Sequence, residues 1–493
     1  MKLKEILKKC TFEMEIINNK NFEVNGISLD SREIKKNFIF GAVKGNFHNG
    51  EDFIKDLLTL KNLVILISSK SSLKIDCSKY PNIVLIKVED VGLISYQISS
   101  IIYSNSIKKK FAVTGTNGKT SVASYVYQIW EKQNLKAASV GTLGTQFKRK
   151  KIFFSNLTTP LAIDNHKILN KLSKLGCERV IFEASSIGLD QERLYSLKFD
   201  VIAFTNLSKD HLDYHSNMKN YKLSKSKLFK IHAKKNTLAV INSDSKFSPY
   251  FKKVCNECKI KVFDFGEKAS FLRINKIIRS KNNFEVTISL KNKNFKIKIE
   301  THSRFEIYNR ICSLLMVFNE RLSRKHFSVI NELKNPAGRL EKIYDKHKIK
   351  VFIDYAHTPE ALSKVLFSLK EITKGKLHLV FGCGGNRDKG KRLLMTKEAT
   401  KYADSVVITN DNPRFENPKK IISDMTKGLK KSEMNKIIII SDRYKAIKKA
   451  IKSLSQFDLL LIAGKGHENY QIIREKKNKF SDRLVAKKFL LEK

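Results

Sequence analysis

The sequence predicts an α/β protein with at least two parallel-sheet domains, and three observations carry that expectation. The chain has 493 residues, too many for one core and enough for about three domains. From residue 106 onward, short apolar runs alternate with amphipathic helical patterns, the signature of strand–helix–strand units. Nearly every one of those runs ends in a polar or glycine-rich cluster: TGTNGKT, EASS, TNLSKDH, DYAHTP, GCGGNRDKG, NDNPR, AGKGHE. Ligands of open α/β sheets bind beyond the carboxyl ends of the strands, so seven such clusters together predict a large site.

Taken in order, residues 1–105 mix helical patterns with the strands NLVILI (62–67) and NIVLI (82–86). Residues 106–335 open with the buried strand KKFAVTG, after which Val122, Val126, Ile129 and Trp130 mark one face of a helix. RVIFEAS, DVIAFTN and TLAVINSD read as further strands, and FEVTISL and FKIKI, joined by KNKN, as an antiparallel hairpin. Residues 336–493 alternate again through KVFIDYA, LHLVFGCGG, SVVITND, KIIIIS and LLLIAGKG. The expected domains are therefore 1–105, 106–335 and 336–493.

Composition narrows the function classes. Hydrophobic residues make up 42% and charged residues 29%, as in soluble globular proteins. No apolar run approaches the ~18 residues of a membrane span, and the start lacks an apolar signal region. Seven scattered cysteines suit a reducing cytoplasm, and the single pair Cys255/Cys258 lacks the partners of a zinc site. The net charge of +47 could indicate nucleic-acid binding. The lysines are spread along every segment, however, and aromatics do not interleave with them. No specific nucleic acid is expected, and the basic surface is read as an attraction for anionic substrates. A nucleic-acid-binding ATPase remains the alternative from another class.

VTGTNGKTS (113–121) follows a strand and opens a helix. Gly115 and Gly118 let the backbone of residues 115–121 (Gly115, Thr116, Asn117, Gly118, Lys119, Thr120, Ser121) wrap phosphate. Lys119 adds charge, and the Thr120 hydroxyl can hold Mg2+. The spacing G-x-x-G-K-T is shorter than the ordinary P-loop, but strand, turn, Lys-Thr and helix agree on ATP. Glu183 and His211, the latter flanked by Asp210 and Asp213, sit at strand ends where they could complete Mg2+ coordination. The stretch ITNDNPRFENP (408–418) holds an acid, an amide and an arginine on stiff backbone. It reads either as an ordinary turn or as a recognition site for a charged small molecule.

In order, TGTNGKTS, FEASSIGLDQERL, FTNLSKDHLDYH, GRLEKI, DYAHTPEAL, FGCGGNRDKGKR, DNPR and AGKGHENYQ resemble the Mur ligases, from LDSREI (29–34) to FSDR (480–483). The resemblance implies an N-terminal domain for a UDP group, a central ATPase domain and a C-terminal Rossmann-like domain. The activity implied is ATP-dependent addition of the third amino acid of the peptidoglycan precursor peptide, in the cytoplasm, by a monomer. The branch implied joins meso-diaminopimelate to the γ-carboxylate of UDP-MurNAc-L-Ala-D-Glu through an acyl phosphate; L-lysine is the alternative amino acid.

Carried over by the resemblance, Leu29, Ser31, Asn46, Phe47 and His48 would contact the nucleotide-sugar. Thr158, Thr159, Ser185, Gln191 and Arg193 would hold the rest of that substrate. Lys119, Glu183, His211 and Lys225 would be catalytic, with Lys225 as a carbamate on Mg2+ beside Thr120. Asn309, Arg339 and Asp354 would reach ATP. Arg387, Asp411, Asn412, Pro413, Arg414, Gly464 and Glu468 would bind diaminopimelate, whose second carboxylate the planar fork of Arg414 would clamp. The chain departs from the family at Ile187, where a histidine is usual, and at Ser303 and Glu306, which replace Gly and Asn.

Overall fold

The computed structural model describes every residue except 46, 47, 77, 156, 281, 282 and 493. Asn46 and Phe47 of the expected nucleotide-sugar contacts therefore lie outside the described residues. The chain divides into two compact units, residues 1–110 with 135–180 and 188–199, and residues 111–134 with 181–187 and 200–493.

The first unit holds a five-stranded sheet in the order Met14–Ile17, Ile83–Val88, Leu63–Ser68, Phe38–Gly41, Gly26–Ser28. The last four strands run parallel and Met14–Ile17 is an antiparallel edge. Leu63–Ile67 and Ile83–Leu85 are almost wholly buried, as continuous β-branched and leucine runs should be when both faces are covered. Helix Val91–Ile102 packs against this sheet, with Val91, Ile94 and Ile98 inward, and Asp90 caps it by accepting from Leu93 N at 2.9 Å. The same unit contains the meander Ala137–Gly141, Gly144–Phe147, Lys150–Phe153 and helix Ala162–Lys174.

The second unit carries two large sheets and the antiparallel ribbon Tyr470–Ile473 with Lys476–Lys479. In one, the order runs Lys293–Ile299, Asn283–Leu290, Leu272–Ser280, Lys261–Gly266, Ala233–Asn242, Phe199–Phe204, Lys109–Thr114, Arg179–Glu183. The expected hairpin is present in register Phe284↔Ile299 and gains a third antiparallel strand, Leu272–Ser280. Its turn residues Lys291 and Asn292 both have positive φ, 51° and 62°, the backbone twist a two-residue hairpin loop needs. Val122, Val126, Ile129 and Trp130 are buried on helix Lys119–Lys132, as their spacing predicts. Each such burial contributes roughly 1.5–3 kcal/mol.

The other sheet runs Glu341–Lys346, Ile349–Asp354, Leu459–Ala463, Leu377–Phe381, Ser405–Ile408, Ile437–Ile439, parallel except for its first strand. Both its faces are covered by apolar clusters. Near the carboxyl end of its middle strands lies a wholly buried ion pair. Arg443 Nε and Nη2 each donate to a carboxylate oxygen of Asp482 at 2.7 Å, and Nη2 also donates to Ala463 O at 2.8 Å. Arg443→Met would leave the Asp482 carboxylate buried without its partner. It is expected to cost about 3–5 kcal/mol, read as a lower urea midpoint at unchanged slope.

Candidate active site

The strand Lys109–Thr114 delivers the chain into residues 115–118, and helix Lys119–Lys132 leaves from it. Gly118 sits at the helix start with φ 90°, and a Cβ there would lie 2.5 Å from the Asn309 amide oxygen. At Gly115, with φ 152°, a Cβ would collide with the Thr205 hydroxyl. Both positions therefore require glycine. Thr116 N donates to Asn206 O at 2.8 Å, and Asn117 N to Asn206 Oδ1 at 3.0 Å. These two amides are thus spent on shaping the loop rather than on phosphate. The first helical turn that follows presents backbone amides with no intrahelical acceptor, the kind of helix end that suits an anion. Lys119 Nζ curls onto the Gly115 and Thr116 carbonyls at 2.7 and 2.9 Å. Burial lowers its pKa to about 8, with Glu183 opposing and Arg339 assisting.

Thr120 Oγ1 donates to Glu183 Oε2 at 2.7 Å and accepts from Arg339 Nη2 at 3.1 Å. Arg339 stacks 4.5 Å over the Tyr355 ring. Asp354 ends its strand with its carboxylate accepting from Leu340 N at 2.6 Å and Ala356 N at 2.7 Å. Burial raises the Asp354 pKa to about 6, against the pull of Arg339 and those two amides. A cavity of about 100 Å³ beside the loop at residues 115–118 is lined by Gly118, Ser121, Asn309, Arg339, Asp354 and His357 among others. It shares Asn206, Phe305 and Asn309 with a cavity of about 550 Å³ that also meets Asn242, Asp244 and Tyr308. That volume and mixed lining suit a nucleoside.

Lys225 is buried, its Nζ 2.9 Å from Gly115 O and 4.5 Å over the Tyr221 ring. Burial first, then repulsion from Lys119, holds its amine well below the ordinary lysine range. His211, at φ 53°, places Nε2 3.4 Å from Asp210 Oδ2. Of the four expected metal-site residues, Thr120 and Glu183 touch, Lys225 meets the loop carbonyl, and His211 rests against Asp210. Among the described residues, no three His, Cys, Asp or Glu side chains form a metal cluster.

A third cavity, of about 150 Å³, gathers Asp210 and His211 with Arg387, Asp411, Arg414 and Glu468. Gly464 and Asn412 line it as well; Pro413 does not. Pro413 is buried, and its carbonyl occupies the space where Gly385 could carry no Cβ. Arg414 takes a left-handed φ of 52°, held by Arg414 N donating to Ile472 O at 3.1 Å and Arg474 N to Arg414 O at 2.8 Å. Its Nη1 donates to Gly385 O at 2.7 Å. Asn412 is engaged within the protein. Its Nδ2 donates to Glu468 Oε2 at 2.9 Å, and its Oδ1 accepts from Lys465 Nζ and Ile472 N, both at 3.0 Å. Asn412 therefore orients Glu468. Lys465, fully buried, also donates to Glu468 Oε2 at 2.8 Å.

In the first unit, Arg193 is the organiser. Its Nη1 donates to Thr159 O at 3.1 Å, and its Nε and Nη2 donate to Gln191 Oε1 at 3.1 and 2.7 Å. Thr158 Oγ1 accepts from Thr142 Oγ1 at 3.2 Å. Leu29 and Ser31 flank Asp30 after the strand Gly26–Ser28, and the exposed His48 ring meets Phe53 edge-on at 6.0 Å. Ser185, in the second unit, follows the strand ending at Glu183.

The departures at Ser303 and Glu306 build a helix cap. Ser303 Oγ accepts from Glu306 N at 3.4 Å, and the buried Glu306 carboxylate accepts from Thr301 Oγ1, His302 N, Ser303 Oγ and Asn335 Nδ2. The helix Arg304–Phe318 thereby keeps Phe305 and Asn309 on both the cavity of about 100 Å³ and that of about 550 Å³. Ile187 is half-buried on the short helix Ser186–Asp190.

Asn206, His357 and Lys465, each inside a strand-end cluster, and Lys391, just beyond one, were not among the expected site residues. A phosphate loop, an anionic strand-end residue beside it and an amphoteric pocket define an ATP-dependent ligase that joins an activated acid to an amino acid. The Mur ligase middle-domain model matches residues 113–317, and the Mur ligase glutamate-ligase-domain model matches residues 338–466. The chain belongs to the Mur ligase family. It is 39% identical to UDP-N-acetylmuramoyl-L-alanyl-D-glutamate–2,6-diaminopimelate ligase of Rickettsia conorii, over 94% of this chain and 95% of that one. A solved structure of a ligase of that name superposes with TM-score 0.63 and 29% identity, covering 95% of each chain. The MurF ligase from Thermotoga maritima, in complex with ADP, shares the fold at TM-score 0.62, 19% identity and coverage of 95% and 96%.

Proposed function

We infer that this ligase joins meso-diaminopimelate to the D-glutamate γ-carboxylate of UDP-MurNAc-L-Ala-D-Glu at the expense of ATP, in cytoplasmic peptidoglycan precursor synthesis. The observation that carries the choice of amino acid is the pocket of about 150 Å³. It offers the cations Arg387 and Arg414 beside the acids Asp411 and Glu468, complementary to a zwitterionic end bearing a carboxylate that lysine lacks. Residues 1–105, 106–335 and 336–493 would serve as the UDP-substrate, ATP and amino-acid domains.

The first-turn amides and Lys119 hold the triphosphate beside the cavity of about 100 Å³, the phosphate cavity, and Arg339, bonded to the Thr120 hydroxyl, adds positive charge there. The γ-carboxylate of the substrate attacks the γ-phosphorus, and the acyl phosphate that forms is attacked in turn by the amine. Positioning and charge neutralisation supply most of the rate. The donors suit Mg2+: the Thr120 hydroxyl and Glu183 carboxylate are hard oxygens, with His211 as a further candidate. An ammonium at Lys225 would repel the ion. Burial favours its neutral amine, the form that takes up carbon dioxide, and the carbamate would add another oxygen donor. When bound, Mg2+ neutralises charge on the phosphates.

The test is phosphate release from Mg-ATP with UDP-MurNAc-L-Ala-D-Glu, offering meso-diaminopimelate or L-lysine. Release with diaminopimelate alone is expected. Equal release with lysine would leave the ligase standing and overturn the amino-acid assignment.

A further inference from the structure

The amine that enters this pocket arrives as an ammonium, and an ammonium cannot attack. Its proton acceptor must lie where the amino-acid cavity meets the phosphate cavity. Tyr355 and His357 line both cavities. Burial raises the Tyr355 hydroxyl far above its usual range, which leaves the imidazole.

We propose that His357 is the general base of amide formation, and that the attacking amine is held between His357 Nε2 and Asp210 Oδ2. The proposal rests on the ligase reading above. His357 lies between the strand Ile349–Asp354 and the helix Pro359–Lys370. Its Nδ1 donates to Tyr355 O at 2.8 Å, so the neutral ring carries its lone pair on Nε2. That nitrogen is 3.9 Å from Asp210 Oδ2. Two acceptors side by side repel each other, and one –NH3+ donating to both, at about 2.9 Å each, relieves the repulsion.

The charged groups around the pair fit the task. Burial, then Lys391, lowers the His357 pKa to about 4, with Asp210 opposing. The ring is therefore neutral, and the bound ammonium must be acidified for Nε2 to accept its proton. Asp210 Oδ2, beside Nε2, is placed to offset the imidazolium that forms. Lys391 and Arg339 place positive charge nearby, which acidifies the bound ammonium. His211 lies 3.4 Å from Asp210 but does not line the phosphate cavity.

The balance is complete. One ammonium proton passes to His357 Nε2, and the freed lone pair forms the C–N bond to the acyl carbon. The tetrahedral centre collapses with cleavage of the C–O bond to phosphate. The second proton of the nitrogen leaves with that phosphate, and His357 returns the first to solvent.

Hydroxylamine separates the base from the rest of the machinery, because it is unprotonated near neutral pH and traps the acyl phosphate unaided. With ATP and UDP-MurNAc-L-Ala-D-Glu, H357Q and H357A should lose far less of their hydroxamate formation than of their ligation of meso-diaminopimelate. Their kcat with meso-diaminopimelate should fall roughly 10²–10³-fold with KM changed less than about threefold, and imidazole should partly restore H357A. A parallel fall of both reactions, or an effect confined to KM, would overturn the assignment. A wild type that forms hydroxamate yet ignores diaminopimelate would instead overturn the amino-acid assignment. The same comparison would then decide the base with L-lysine.

Discussion

Lys119→Met is expected to lower kcat by roughly 10³–10⁵-fold, the scale on which a single cation supports phosphoryl transfer, while leaving the thermal midpoint little changed. The side chain sits at the mouth of the loop with its ammonium on two carbonyls, Gly115 O and Thr116 O. Methionine keeps the length and apolar stem but loses both bonds and the charge. The triphosphate supplies anionic oxygens that these carbonyls only imitate, so the lost interaction grows as charge shifts during transfer. A pH dependence follows with a definite sign. The Lys119 pKa is depressed to about 8, so the nucleotide-free protein loses this positive charge as pH rises through 8. Apparent ATP affinity should weaken from pH 7 to 9 in the wild type and change much less in K119M. Equal pH profiles for the two proteins would show that Lys119 does not carry the phosphate attraction.

The phosphate element was legible because it is local: strand, two glycines, Lys-Thr and helix are contiguous, and each residue type has one physical reason to be there. That the residues of the third cavity would come together was legible by another route. Its parts are far apart in sequence, but each closes a parallel strand, and parallel strands bring their carboxyl ends together. What sequence could not convey was how groups divide the labour once assembled. Asn412 looked like a ligand contact, but its amide is already bonded to Glu468, Lys465 and the Ile472 amide. Thr116 and Asn117 looked like phosphate donors, and their amides shape the loop through Asn206. Glu306 breaks the family pattern, but the exchange is local and self-consistent, with Ser303 and Glu306 capping one helix turn. Such trades depend on distances between side chains that no spacing rule encodes.

Arg414→Ala is expected to lower kcat/KM for meso-diaminopimelate by roughly 10³-fold while changing the slow reaction with L-lysine by less than about tenfold. The guanidinium is only partly satisfied by the protein, with Gly385 O at 2.7 Å and Asn412 O at a distant 3.5 Å. Burial and the neighbouring Arg387 lower its pKa, so the site gains from a bound anion. Lysine brings no second carboxylate, and the half-buried Arg414 guanidinium would stay beside Arg387 without the anion it lacks. Rejection of lysine therefore exceeds the value of one missing ion pair. Arg414→Lys distinguishes charge from shape, because an ammonium keeps the charge but cannot pair a carboxylate through two parallel bonds. It should recover about a tenth or less of the lost kcat/KM. The left-handed backbone at residue 414 is pinned by Ile472 and Arg474, so neither substitution should move the turn, and the ATP KM should stay near the wild-type value. Comparable losses with diaminopimelate and lysine in Arg414→Ala would mean that the arginine holds the turn rather than the ligand. The specificity would then have to come from Arg387 alone.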